Sequence, residues 1–238
     1  MIPLHYKTEL HCHTRPVSPC AHLSPEEVAQ HYIEAGYTTV VLTNHFCSAI
    51  FSPKHYSGSP DPHARADYFI KDYRRMKQAA GDRLHVLLGA EFRIDAHAAT
   101  DYLVYGLTEE LLYTLADVTA CTMKEFSARV RAAGCMLYQA HPFRNGMLIT
   151  DPSLLDGIEV YNATPRGLAR NAFATLWADT FGLKKIAGTD FHARSDAEFP
   201  NGEHASSGIL TDAPITSNDE LLATLKSGNY ELLCGDST

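Results

Sequence analysis

The chain contains no apolar stretch approaching the roughly 20 residues that span a bilayer, and its first residues lack the basic and apolar regions of a secretory leader. Its six cysteines show no paired C-x-x-C spacing. The first two absences point to a soluble, cytoplasmic protein with no membrane partner. The third removes the zinc-knuckle ligand pattern, and a chain of 238 residues is long enough to bury a full core without disulfide staples. The thiols are therefore read as reduced, with Cys12 and Cys20 as small buried hydrophobes. Positive charge is also scarce: 20 Lys and Arg against 28 Asp and Glu leave a net charge of −8, which disfavours extended nucleic-acid binding. No repeat, low-complexity tract or linker divides the sequence, so residues 1–238 read as one domain.

What is present is a regular alternation of helical and strand signals. Three helices carry an N-terminal cap with an acid three residues later and a closing glycine. They run from Ser24 to Gly36, from Thr122 to Gly134 and from Ser217 to Gly228. Residues 64–81 read as another helix, with Tyr68, Met76 and Ala80 on its buried side. Thr164-Pro165 is expected to start a longer one that ends at Gly182, with Leu168, Ala172, Leu176 and Trp177 on one face. Between them lie short apolar runs at 8–10, 38–42, 86–88, 102–105, 136–138, 157–161, 185–187 and 208–210. Near-continuous apolar strands alternating with helices imply parallel strands buried on both faces, hence an α/β protein resembling a TIM-like barrel. In such a barrel chemistry gathers on the loops leaving the C-terminal strand ends. The Ser-, Pro- and Gly-rich stretch 47–63 reads as a long loop near the mouth of the site.

Those strand ends carry the histidines and acids. His11-Cys12-His13 follows the opening strand, Thr43-Asn44-His45 the second and Gly89-Ala90-Glu91 the third. Ala140-His141-Pro142 and Gly188-Thr189-Asp190-Phe191-His192 come later, and His22 lies shortly after the first pair. His11 and His13, two apart on a strand, face the same side, as do Asp190 and His192. Imidazoles suit zinc, iron or manganese, and a carboxylate offers two oxygens with which to bridge two ions. The set predicts a polynuclear metal site.

The order His11-x-His13, His22, Thr-Asn-His45, Gly-x-Glu91, His141-Pro142 and Asp190-x-His192 resembles the polymerase and histidinol phosphatase (PHP) family across nearly the whole chain. The resemblance implies a distorted seven-stranded (β/α) barrel that binds two or three divalent metal ions (Zn, Mn or Fe) and hydrolyses phosphate esters. By position it implies that His11, His13, Glu91 and Asp190 hold one ion. Glu91 would bridge to a second held by His141, and His22, His45 and His192 would hold a third. Two departures stand out. Asn44 replaces the usual aspartate, which is expected to loosen a neighbouring ligand. Members with a complete trinuclear site often carry a further histidine after the strand at 102–105, and Leu107 is read at that position. Asp101, at the start of the strand, is expected not to face inward.

Arg144, directly after His141-Pro142-Phe143, is the candidate phosphate grip and catalytic cation, and Arg15, Arg93, Arg166 and Arg194 are further candidates for substrate contact. Glu159, inside a strand, is read as supporting the ligands. His204 is a candidate general acid. The leading function is hydrolysis of a small phosphorylated substrate, a histidinol-phosphate-like monoester or a nucleotide-derived phosphate, by a metal-activated water. The alternatives are an amidohydrolase-type C–N hydrolase and a non-catalytic metal-binding module, the latter supported by Leu107.

Overall fold

The computed structural model describes residues 6–95, 100–193 and 206–235. Its first strand, β1 (Tyr6–Cys12), is irregular, and the irregularity positions the site. β1 runs parallel to β2 (Tyr37–Leu42), pairing Glu9 with Val40 but Cys12 with Leu42, so one residue bulges out of the ladder. Leu10 packs inward against Val41, whereas Cys12, which shares its parity, packs outward with Val40 and Leu42. The bulge leaves two amides to be satisfied elsewhere, and the buried Glu9 carboxylate accepts both, from Leu10 at 3.0 Å and His11 at 2.8 Å.

The strands form two sheets. The first has the order β11-β10-β1-β2-β4 and the second β3-β5-β6-β7-β8-β9. Their remaining members are β3 (His45–Phe46), β4 (His85–Leu88), β5 (Ala90–Phe92), β6 (Tyr102–Tyr105), β7 (Met136–Gln139), β8 (Gly157–Asn162), β9 (Lys184–Gly188), β10 (Ser207–Thr211) and β11 (Glu231–Cys234). The all-parallel expectation needs correcting. β6 runs antiparallel to both β5 and β7, and β10 to both β1 and β11. Nor does a single ladder close the strands into one barrel; among the described residues the sheets meet at two seams. At one, Cys12 bridges Phe191. At the other, Gly89 and Glu91 donate backbone hydrogen bonds to Leu42 and Asn44.

Strand alternation sets three layers. Leu10, Val41, Leu87, Leu103, Tyr105, Tyr138 and Ile186 fill the space between the sheets. Outside, helices α1 (Pro25–Glu34) and α2 (Pro62–Ala80) cover β1, β2 and β4 through Val28, Tyr32, Met76 and Ala80. On the second sheet Phe92, Val104, Leu137 and Ile158 pack under Phe126 of α4 (Met123–Ala132) and the alanines Ala174 and Ala178 of α5 (Asn171–Phe181). Helix α6 (Asn218–Ser227) closes one end with Leu221 and Leu225. The capping boxes at Ser24 and Thr122 form as the sequence indicates, and Ser217 caps α6 through the Glu220 amide.

One helix is additional to those expected, and one expectation changes. α3 (Glu109–Leu115) had no sequence signal strong enough to place it. α5 starts at Asn171 rather than at Thr164, because Thr164 takes part in a side-chain turn: its amide donates to Asn162 Oδ1 at 3.2 Å and Arg170 then adopts φ 53°. The expected apolar face is turned accordingly. Leu168 and Leu176 are 68% and 64% exposed, and the small Ala174 and Ala178 make the close contact instead.

Candidate metal centre

The inner positions of both sheets converge on one buried cluster. His11, His13, Glu91 and Asp190 are at most 2% exposed. His11 Nε2 lies 3.4 Å from Glu91 Oε1 and 3.4 Å from Asp190 Oδ1; His13 Nε2 lies 3.4 Å from Glu91 Oε2 and 3.2 Å from Asp190 Oδ1. A tetrahedron of metal bonds about 2.0–2.1 Å long has edges of about 3.3–3.4 Å. His11 Nε2 and His13 Nε2 are also buried without a hydrogen-bond partner. Nitrogens orphaned at coordination spacing around two carboxylates fit a cation better than they fit one another.

Around this core the same residues recur in four overlapping groups whose ligand atoms lie within 4.8 Å of one another. They are His11, His13 and Glu91; His11, His141 and Asp190; His13, His45 and His192; and His45, Glu91 and Asp101. Glu91 Oε1 is 3.1 Å from His141 Nε2 and its Oε2 is 2.8 Å from His45 Nδ1, so this carboxylate spans two corners of the site. Seven of the eight sequence-derived ligands are thus together. His22 is not among them: it is exposed on the wall of an open pocket with Arg15 and Lys54. Its amide donates to the carbonyl of His192, so it is the backbone of His22 that meets the site.

The position beside His45 and His192 is taken by Cys20. The residue as a whole is exposed and lines the cleft next to His45. Burial opposes ionisation of this thiol, yet the imidazoles of His192 and His45 bring it down to about 6. Cys12 by contrast is the buried apolar residue expected.

Charge in the cluster is finely opposed. Burial pulls the His11 imidazole down, but the carboxylates of Glu159, Asp190 and Glu91 outweigh it and hold His11 well above its ordinary range. His45 is likewise raised against burial by Glu91. His13 goes the other way, held well below its ordinary range by burial and by His192 and His45. Glu91 and Asp190 are kept ionised despite burial by the imidazoles beside them.

A further ring of residues fixes the ligands. Glu159 accepts from His11 Nδ1 at 2.9 Å, which leaves Nε2 pointing into the cluster, and from the His141 amide at 2.9 Å. His141 and Asp190 sit at φ 28° and 51°, a left-handed region that non-glycine residues enter at a cost. Gly188 lets β9 approach, since a Cβ there would lie 2.5 Å from His11 Cβ. Glu9, whose role the sequence did not reveal, also accepts the Thr189 amide at 3.0 Å, tying the two ligand-bearing segments together; burial pushes it up to about 7.

Asn44 does not loosen its neighbours as expected. Its Oδ1 accepts from the Thr14 amide at 2.7 Å and from Ser18 Oγ at 2.9 Å, and Ser18 Oγ lies 3.4 Å from His13 Nδ1. Leu107 also needs correcting. Gly106, at φ 88°, turns the chain out of the strand, and Leu107 enters the outer hydrophobic layer fully buried. Asp101 shares the parity of Leu103 and Tyr105 and faces inward, 2% exposed, contrary to expectation.

Arg144 Nη2 donates to Asp190 Oδ2 at 2.6 Å and to Asn162 Oδ1 at 3.2 Å, at the edge of the cluster. Arg15 lies in the pocket with His22, and Arg166 is exposed in the loop after β8. Arg194 and His204 lie outside the described residues. Next to His45 opens a cleft of about 400 Å³ lined also by Cys20, Cys47, Ile50, His55 and Arg93.

No protein-family profile matches the sequence, and no curated protein matches it. Solved structures do match its fold. One is a two-domain protein containing a predicted PHP-like metal-dependent phosphoesterase from Bacteroides vulgatus, at a TM-score of 0.67 and 15% identity over 97% of this chain and 65% of that one. The chain thus spans about two thirds of that protein's length. Another carries the name of a metal-dependent phosphoesterase from Bifidobacterium adolescentis, at 0.55 and 17%, covering 94% and 97% of the two chains. A third is an amidohydrolase from Chromobacterium violaceum with bound sulfate and no metal, at 0.55 and 15%, covering 95% and 98%.

Proposed function

We propose that this fold, shared with PHP-like metal-dependent phosphoesterases, here serves a metal-dependent hydrolase of small phosphate esters. The observation that carries the reading is the buried quartet of His11, His13, Glu91 and Asp190, with two orphaned imidazole nitrogens at coordination spacing. His11, His13, Glu91 and Asp190 would hold one divalent ion, with Glu91 reaching toward His141, and His45 and His192 completing a neighbouring position. Bound Zn, Mn or Fe would lower the pKa of a water toward about 7 and polarise the phosphoryl group.

The chain's own residues do the rest. Glu159 holds His11 in the tautomer that presents Nε2. Arg144, anchored on Asp190 and Asn162, stands where it can grip a phosphoryl oxygen and stabilise charge that develops there. The two sheets act as the walls of a distorted barrel, keeping the ligands dry while the cleft beside His45 admits the substrate. A small monoester or a nucleotide-derived phosphate suits a cleft of this size.

The amidohydrolase reading has a neighbour by name, but the group that spans two corners of this site is the Glu91 carboxylate, in contact with His141 and His45. The case for a non-catalytic module rested on Leu107, which is core.

The test is elemental analysis of the purified protein joined to phosphate release from a panel of monoesters and bisphosphates with Mn²⁺, Zn²⁺ or Fe²⁺, for the wild type and His11→Ala. Two to three ions per chain and release abolished in the variant are expected. Metal bound without release from any ester would overturn the proposal.

A further inference from the structure

The inward faces of β5 and β6 carry more than Glu91. Arg93 follows Glu91 by two residues and Asp101 precedes Leu103 by two, so all four side chains turn to the interior. The antiparallel register pairs Glu91 with Leu103 and Phe92 with Tyr102, which sets Arg93 opposite Asp101 at the rim. The guanidinium meets the carboxylate edge to edge: Nε donates to Oδ1 at 2.7 Å and Nη2 to Oδ2 at 2.8 Å. Both carboxylate oxygens therefore accept from the arginine. Asp101 is buried, and it is also the residue that comes within coordination reach of His45 and Glu91. An ion bound there through Asp101 would have to share those oxygens with a bidentate arginine whose positive charge opposes it.

We infer that Arg93 is the resident cation of this corner: its guanidinium stands where a further ion would sit beside His45, Glu91 and Asp101, and it also binds a phosphoryl oxygen of the substrate. The pair engages one edge of a guanidinium that offers five donors, and Arg93 at the same time lines the cleft next to His45. A charge held in place by a buried partner needs no rearrangement when substrate arrives, which is what transition-state electrostatics requires. Asp101 is then a positioning residue, acting through Arg93. The phosphate role rests on the phosphoesterase reading; the identity of the cation at this corner does not.

The experiment compares wild type, Asp101→Asn and Arg93→Lys. The asparagine retains the shape of the aspartate, and the lysine retains the charge while losing the fork; both variants are checked for native circular dichroism. Ions bound per chain are counted after equilibrium dialysis against Mn²⁺ or Zn²⁺, and affinity for inorganic phosphate is measured by calorimetry. The expected results are the same ion count in wild type and Asp101→Asn, and phosphate binding weakened by about 10- to 100-fold in Arg93→Lys. One ion fewer in Asp101→Asn would make Asp101 a metal ligand and overturn the assignment. Unchanged phosphate affinity in Arg93→Lys would overturn the substrate contact. A protein that gives both expected results yet cleaves no phosphate ester would refute the phosphoesterase reading while supporting Arg93 as the cation, because neither measurement depends on turnover.

Discussion

Replacing Glu159 with Gln removes one negative charge from beneath the cluster without changing the shape of the side chain. Glu159 accepts three hydrogen bonds, from His11 Nδ1, the His141 amide and Asn162 Nδ2, each at 2.9 Å. A glutamine has one carbonyl oxygen, so its amide group must face at least one of these donors. Losing an orienting partner of a metal-bound imidazole costs about 10- to 100-fold in metal affinity, or about 1.4–2.8 kcal/mol at 1.4 kcal/mol per tenfold. Without metal, a buried donor left unpaired costs a further ~1–3 kcal/mol of stability, a melting shift of roughly 2–12 °C in a chain of this length. Competition against a chromogenic chelator measures the first quantity and calorimetric melting of the chelated protein the second. If Glu159→Gln binds metal as tightly as wild type, Glu159 is not what aims His11, and the argument from the hydrogen-bond ring fails.

Three further outcomes follow from the geometry. His11 and His45 are held above their ordinary range, so protons compete with a cation for these rings more strongly than for a free imidazole. A cation requires the deprotonated ring, so apparent affinity rises with pH and binding near pH 7 releases protons. Titration calorimetry in buffers of different ionisation enthalpy will show this, and zero release would contradict the charge assignment. Cys20, with its thiol near 6, will be the first cysteine alkylated by iodoacetamide at neutral pH, and metal loading will protect it; mass mapping decides, and labelling unaffected by metal would place the sulfur outside the site. Gly188→Ala would bring a Cβ within 2.8 Å of Glu159 Oε1 as well as against His11, so overpacking of about 1–3 kcal/mol is expected, with weakened metal binding. An alanine variant that melts and binds as wild type would show that β9 can yield there.

Much of this site was legible because each ligand type sits at the end of an apolar run, where strand period and residue chemistry agree. His11, His13, Glu91, His141, Asp190 and His192 could be read that way. Strand direction could not. The runs at 102–105 and 136–138 look the same whether parallel or antiparallel, since burial on both faces erases the distinction. Asp101 was recoverable: counting by twos from Leu103 and Tyr105 places it inside, and Gly106 is the residue that carries Leu107 elsewhere. Cys20 and Glu9 were hidden for different reasons. The loop that aims Cys20 rather than His22 at His45 is held by Asn44 and Ser18, contacts between segments distant in sequence. Glu9 answers to a bulge that no local pattern announces.

That bulge has an evolutionary consequence. With it, the neighbours Leu10 and His11 both look into the molecule; removing one residue between Glu9 and Cys12 would make the ladder even from Val40 to Leu42 and leave one inward side chain where there are now two. Cys12 would stay opposite Leu42, and either the inner core would lose Leu10 or the site would lose His11. Point substitutions along β1 can be tested by selection one at a time, but its length cannot drift by a single residue. Insertions and deletions in this lineage should therefore collect in the loops on either side of β1 and spare the seven residues of the strand itself.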